Sequence, residues 1–120
     1  MTEGLDIFAT ARFVLISPQK VRRVIDLIRG MDVNSALDVL QFTQNKAAKP
    51  VSKVVLSAVA NADENYGISR DDLYIHTITA DKGPTRRWRR FGARGRFKPI
   101  LRRSSHIKVV LREMEAETEN

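Results

Sequence analysis

LYIHTITADKGPTRRWRRFGARGRFKPILRRSSHIKVVLR, the stretch from Leu73 to Arg112, decides how this chain folds. Its two ends read as strands. Leu73–Ala80 is rich in β-branched residues. In Ser105–Arg112, Ile107, Val109 and Leu111 alternate with His106, Lys108 and Val110, the period-two pattern of a half-buried strand. The middle is different. Between 82 and 104 the apolar residues are Trp88, Phe91, Ala93, Phe97, Ile100 and Leu101, against eight arginines and two lysines. Such a segment cannot be core, yet it leaves one strand and returns to another. Two readings are open. It is a long loop, or the flanking strands continue outward as a β-ribbon that turns near Phe91-Gly92-Ala93-Arg94-Gly95-Arg96, where glycine permits turn angles. In the second case about 15 residues separate Ile78 from the tip, roughly 45–50 Å of strand. A compact body of this length has a radius of gyration of about 14 Å, so the ribbon would project well beyond it.

The preceding residues supply the body. Ile7, Ala9, Ala11 and Phe13 alternate with Phe8, Thr10 and Arg12, which predicts a strand with those four facing inward. Ser17 as cap and Pro18 at the first helical position then open a helix, and Gly30 offers a stop. Within it Val21, Val24, Ile25 and Ile28 form one stripe, edged by Lys20 and Arg23 on one side and Arg22 and Arg29 on the other. Val33, Ala36, Leu37 and Leu40 predict a short second helix capped by Asn34. A third runs from Ala47 to about Tyr66 and ends at Gly67; its Ala/Val stripe suits close packing on a sheet. Asn61 reads as a solvent-facing residue of that helix, and Lys46, Lys49 and Lys53 share another of its faces. The fold class expected is α+β: a small three-stranded antiparallel sheet packed on three helices, with a long projecting β-hairpin. Residues 1–112 are expected to be one domain, the hairpin spanning about 78–107, and residues 113–120 an acidic flexible tail.

Charge sharpens this picture. The net +7 over 120 residues is unevenly placed. Residues 1–81 hold nine Lys/Arg and ten Asp/Glu, Lys82–Arg112 holds twelve Lys/Arg and no acid, and residues 113–120 hold four Glu. A concentrated basic block on a nearly neutral body marks a polyanion partner more often than a solubility device. A bare two-stranded ribbon is marginal in water and its arginines repel one another. It calls for a densely anionic partner that envelops it, and folded RNA meets both conditions. Arginine bonds phosphate bidentately and stacks on bases, and the interleaved Trp88, Phe91 and Phe97 suit stacking. Other classes find little support. There is no cysteine, hence no disulfide, thiolate metal site or cysteine nucleophile. No apolar run of membrane-spanning length exists. The first ten residues carry Glu3 and Asp6 and lack the pattern of a signal peptide. An enzyme lacks its residues: His76 and His106 are isolated, no Gly-rich phosphate loop occurs, and Asp71-Asp72 sits in a loop without an evident partner.

Three motifs in order resemble one family, the bacterial large-subunit ribosomal protein numbered twenty-two. They are Ser17-Pro18-Gln19-Lys20-Val21-Arg22, then Ala58-Val59-Ala60-Asn61-Ala62, then Gly83-Pro84 through the arginine block and Gly95-Arg96 to Ile100-Leu101-Arg102-Arg103-Ser104-Ser105-His106-Ile107. The resemblance spans about Phe8 to Arg112. It implies a structural component of the large ribosomal subunit, cytoplasmic and ribosome-bound, which supports subunit assembly. It further implies a body near the exit of the nascent-chain tunnel, and a hairpin that runs through ribosomal RNA to the tunnel wall. The implied partners are large-subunit ribosomal RNA, neighbouring ribosomal proteins and the nascent polypeptide, with no membrane, small-molecule substrate, cofactor or metal. Family members often carry Pro-Arg-Ala where this chain has Phe91-Gly92-Ala93, and a smaller or basic residue where it has Trp88. That difference implies a different turn and a bulkier tip.

RNA contact is accordingly expected at Arg12, Ser17, Gln19, Lys20, Arg22, Arg23, Lys49 and Lys53 in the body, and at Lys82, Arg86, Arg87, Arg89, Arg90, Arg94, Arg96, Lys98, Arg102, Arg103 and His106 along the ribbon. The tunnel-facing tip is expected at Trp88, Phe91, Gly92, Ala93, Arg94, Gly95 and Arg96. The competing reading for each cation is an ordinary solvated face. The rival for the whole chain is a free RNA- or DNA-binding regulator, for which no helix-turn-helix, zinc or RNP signature appears.

Overall fold

The computed structural model describes residues 5–84, 86–91 and 97–114, with 86–91 and 97–102 described as backbone. Strand β1 (Ile7–Val14) leads into helices α1 (Pro18–Ile28), α2 (Val33–Phe42) and α3 (Ala48–Tyr66). A 3-10 turn (Arg70–Asp72) precedes β2 (Leu73–Lys82), β3 (Arg86–Phe91), β4 (Phe97–Arg102) and β5 (Ser105–Glu113). The sheet order is β1-β5-β2, antiparallel throughout, and β3 pairs with β4 in a separate antiparallel ribbon. This is the expected α+β fold. The molecule is 76 Å long and 26 × 19 Å across, with a radius of gyration of 18.0 Å. That radius exceeds the roughly 14 Å of a compact chain of this length.

Each helix starts and stops for a local reason. Pro18 opens α1, but the Ser17 side chain makes no cap bond. The Ser17 carbonyl accepts the Lys20 and Val21 N–H groups instead. Val21, Val24, Ile25 and Ile28 are all buried, as their spacing requires. The cap of α2 is Asp32, not Asn34: Asp32 Oδ2 accepts from Ser35 N–H at 3.1 Å. Val33 is fully buried at the first helical position, so the core holds it there and the capping role falls to Asp32, two residues before Asn34. Asn34 lies inside the helix and donates through Nδ2 to Asp71 Oδ1 at 2.7 Å, tying α2 to the 3-10 turn. Gly67 ends α3 in a left-handed conformation (φ 63°), with its N–H on Asp63 O and that of Ile68 on Ala62 O.

The core lies between the sheet and the helices. Ile25 and Ile28 of α1, Leu73, Ile75 and Ile78 of β2, and Ile107 and Leu111 of β5 are all fully buried in one cluster. The small stripe Val51, Val55, Ala58 and Ala62 lets α3 lie close on β1 and β5. The Met31–Asp32 segment pairs with the Tyr74–Ile75 end of the β2 edge, and elsewhere helix side chains bond to carbonyls on the edges of both outer strands. On the β2 edge, Arg22 donates through Nε and Nη2 to Ala80 O at 3.1 and 2.9 Å, and Arg29 Nη2 donates to Ile78 O at 3.0 Å. On the β1 edge, Asn61 Nδ2 donates to Phe8 O at 3.0 Å. Asn61 is therefore half-buried and bonded rather than solvent-facing.

Two strands depart from simple alternation: β2 shifts register against β5 between Ile75 and Thr77, and β1 shifts near its end. The register of β1 against β5 shifts between Ala11↔Ile107 and Val14↔Ser105, so one extra residue bulges out. Every side chain beyond the bulge changes face. Phe13, expected inside, is 56% exposed with φ 59°, and Val14 turns inward in its place.

Candidate nucleic-acid interface

The ribbon joins the sheet through a tight neck. The last sheet pair is Lys82↔Ser105 and the first ribbon pair is Arg86↔Arg102, so three outgoing residues face two returning ones. Gly83 N–H donates to Ser104 O at 2.9 Å, and Ser104 Oγ donates to Pro84 O at 2.9 Å. A side chain at Gly83 would collide with Ser104 Oγ, which is why glycine stands there. Ser105, fully buried, donates through Oγ to Ile16 O at 2.6 Å. The two serines thus hold the returning arm, one to the outgoing arm and one to the entry of α1. Sequence reasoning used them only as a motif; a polar pair at the inner end of a strand was the available signal of a junction.

Beyond the neck, Arg86, Arg87, Arg89 and Arg90 lie on β3, and Lys98 and Arg102 on β4. Trp88 pairs with Ile100 and Phe91 with Phe97. Half of the backbone groups of each arm point at the other arm, and the outward half, with the side chains, is available to a partner. Arg94 and Arg96, and the expected tip residues Gly92, Ala93 and Gly95, lie outside the described residues. So do residues 115–120 of the expected tail. Strand β5 runs to Glu113, and Met114 N–H donates to Asp72 O at 2.7 Å.

The remaining expected contacts divide into groups. Lys82 and Arg103 are exposed at the neck. Gln19, Lys20 and Arg23 are exposed at the start of α1, and Ser17 is half-buried. Arg22, on the same turn, already spends two donors on Ala80 O. Lys49 and Lys53 border a groove of about 600 Å³ between α2 and α3, walled by Leu37, Leu40 and Leu56. Arg12 and His106 line a different groove of about 480 Å³ on the uncovered face of the sheet, together with Phe8, Thr10, Phe13 and Lys108. The two grooves share no residue. In the second, Phe13 N–H donates to His106 Nδ1 at 3.1 Å, and the two rings meet edge to face at 5.0 Å. Lys108 Nζ sits 5.2 Å from the Phe8 ring centre. Farther along that face, Arg112 Nε donates to Asp6 Oδ1 at 2.6 Å. The bond from Arg112 holds the Asp6 carboxyl below its ordinary pKa of 3.8 and raises that of Arg112. Among the described residues no helix is long and apolar enough to cross a membrane, and no cluster of His, Asp or Glu could hold a metal ion.

Residues 9–112 match the family described as "Ribosomal protein L22p/L17e". The chain belongs to this ribosomal protein family. A relative named "Large ribosomal subunit protein uL22", from Desulfitobacterium hafniense strain DCB-2, is 51% identical over 105 residues, which is 88% of this chain and 92% of its own length. The protein of the same name from strain Y51 of that organism matches to the same extent. The L22p/L17e match covers the neck, both described arms and the sheet, and stops before the acidic terminal residues.

Proposed function

We propose that this protein is a structural component of the large ribosomal subunit. It binds ribosomal RNA along its basic ribbon, supports assembly by touching several RNA segments, and lines the nascent-chain tunnel with its hairpin tip. The observation that carries this reading is the paired ribbon β3–β4, rich in arginine and free of acid, on a chain of a ribosomal protein family. Each phosphate that an arginine neutralises releases counterions, and this release drives binding. The arms Arg86, Arg87, Arg89, Arg90, Lys98, Arg102 and Arg103 hold RNA, and Lys82 and His106 extend the contact onto the body. Lys20 and Arg23 add charge where the first N–H groups of α1 favour phosphate, and Ser17 and Gln19 offer hydrogen bonds there. Arg12, Lys49 and Lys53 supply outlying contacts. Trp88, Phe91 and residues 92–96 face the tunnel. Residues 1–112 act as one domain, which β5 carries on to Glu113, and the acidic residues beyond Met114 act as a tail. The partners are ribosomal RNA, neighbouring ribosomal proteins and the nascent chain, and the protein works ribosome-bound in the cytoplasm without catalysing a reaction.

Sedimentation tests this. The protein is expected to stay with the large subunit through a high-salt wash, and nucleotide crosslinks are expected along 86–103. Nascent-chain crosslinks are expected at 91–96. A protein that washes off the subunit and rebinds a free RNA or DNA target would instead be a regulator. Absence of nascent-chain crosslinks would remove the tunnel role alone.

A further inference from the structure

Among the described residues, helices cover one face of the sheet and nothing covers the other. At its ribbon end that bare face is cut by the groove of about 480 Å³, a volume within the roughly 300–1,000 Å³ of sites that hold one small ligand. Single exposed aromatics are ordinary on protein surfaces. Here two phenyl rings, Phe8 and Phe13, each more than half exposed, share one groove with an imidazole and two cations. Phe13 reaches it at a cost. Its φ of 59° lies in the left-handed region that a bulky residue seldom adopts, and such backbone strain clusters where a side chain must be aimed. The bulge and the bond to His106 Nδ1 together hold its ring away from the core. Because His106 Nδ1 accepts that bond, the neutral ring carries its proton on Nε2, which remains a donor.

The geometry points to this groove as a site for one unpaired nucleotide of RNA, its base stacked on Phe13 and its phosphate held by Arg12 and Lys108. This rests on the ribosomal RNA reading above and adds a base-holding site at the foot of the ribbon. Charge favours a phosphodiester: Arg12 and Lys108 face one carboxylate, Asp81, and exposed Lys82 and Arg103 stand at the adjoining neck. Position favours it as well. Asp81↔His106 is the sheet pair next to Lys82↔Ser105, so the groove lies at the foot of the ribbon, within reach of RNA held there. The unpaired state follows from the rings, since a base inside a duplex has no free face to stack. A protein surface fits less well, because cations and a carboxylate interrupt the rings.

The test uses the full chain and purified large-subunit ribosomal RNA, titrated across a range of salt concentrations. Phe13→Ala should weaken binding by about tenfold, the scale of one lost base stack. The salt dependence should run parallel to that of the unaltered protein, because no cation is removed. Phe13→Trp should bind within about twofold of the original, as stacking is kept. Ultraviolet irradiation of the unaltered complex should attach a nucleotide to the segment 5–16. Phe13→Ala binding as tightly as the original overturns the groove site. If a ribbon variant with Arg86, Arg87, Arg89 and Arg90 changed to Gln still weakens, the ribosomal RNA reading survives that loss; if it too binds unchanged, that reading fails. A crosslink from segment 5–16 to a neighbouring protein in the assembled subunit, with none to RNA, also overturns the site.

Discussion

Changing Arg22 to Met separates two roles that one cation could fill. Arg22 lies on the exposed edge of α1, where RNA contact is expected, yet its Nε and Nη2 bond Ala80 O at 3.1 and 2.9 Å. Ala80 is 3% exposed and sits on the edge strand β2, so its carbonyl has no strand neighbour on that side. A hydrogen bond from a charged donor contributes roughly 1.5–3 kcal/mol net. The two bonds share one acceptor and the arginine is exposed, so the pair counts as one such bond near the lower end, about 1.5 kcal/mol. That is about a tenfold change in the folding equilibrium. For a chain of this length it corresponds to a melting shift of about 4–6 °C. Arg23→Met, one residue on and exposed, should change stability by less than about 0.5 kcal/mol. Urea unfolding of the free protein measures both, with equal slopes for each variant. Arg22→Lys should recover little, since an ammonium lacks the planar fork. Equal stability of the Arg22 and Arg23 variants, or full recovery by lysine, would refute the clamp.

Four further outcomes are expected. Gly83→Ala should destabilise the neck by about 1–3 kcal/mol through overpacking against Ser104, and adding Ser104→Ala should recover part of that loss, a coupling readable by thermal melts of the four proteins of the cycle. Asp32→Ala should cost about 1 kcal/mol by removing the α2 cap and should speed hydrogen exchange at the Ser35 N–H, whereas Asn34→Ala loses its bond to Asp71 and should leave that N–H protected. The Asp6–Arg112 pair predicts a pH signature. Asp6 has a folded-state pKa below 3.8, so its contribution is present above the ordinary value and is lost as pH falls through the lower one. Asp6→Asn should therefore differ from the original near neutrality and converge with it in acid. Finally, removing the charges of Arg86, Arg87, Arg89 and Arg90 should reduce the log–log salt slope of RNA binding by about 3–4, and an unchanged slope would exclude those four from phosphate contact.

Much of this molecule could be read in its residues. Period-two and period-3.6 patterns are local, so the strands, the three helices and the stripe Val21, Val24, Ile25 and Ile28 were legible. Gly67 announced the end of α3, because few other residues tolerate its backbone angle. The basic ribbon was legible too, since a run without acid cannot be buried and two strand patterns bracket it. What remained hidden depends on which elements meet. Whether Asp32 or Asn34 caps α2 was decided when the core claimed Val33. Arg22 and Arg29 look like any helix-flanking cations until α1 lies beside an edge strand whose carbonyls need donors. Asn61 reads as a surface residue until α3 reaches the opposite edge. Phe13 belongs to the buried face by count, and only the register of β1 against β5 reverses it. The basic arms came from composition; the serine neck that holds them, and the groove at their foot, arise from pairings between residues as many as 93 positions apart, which local pattern cannot encode.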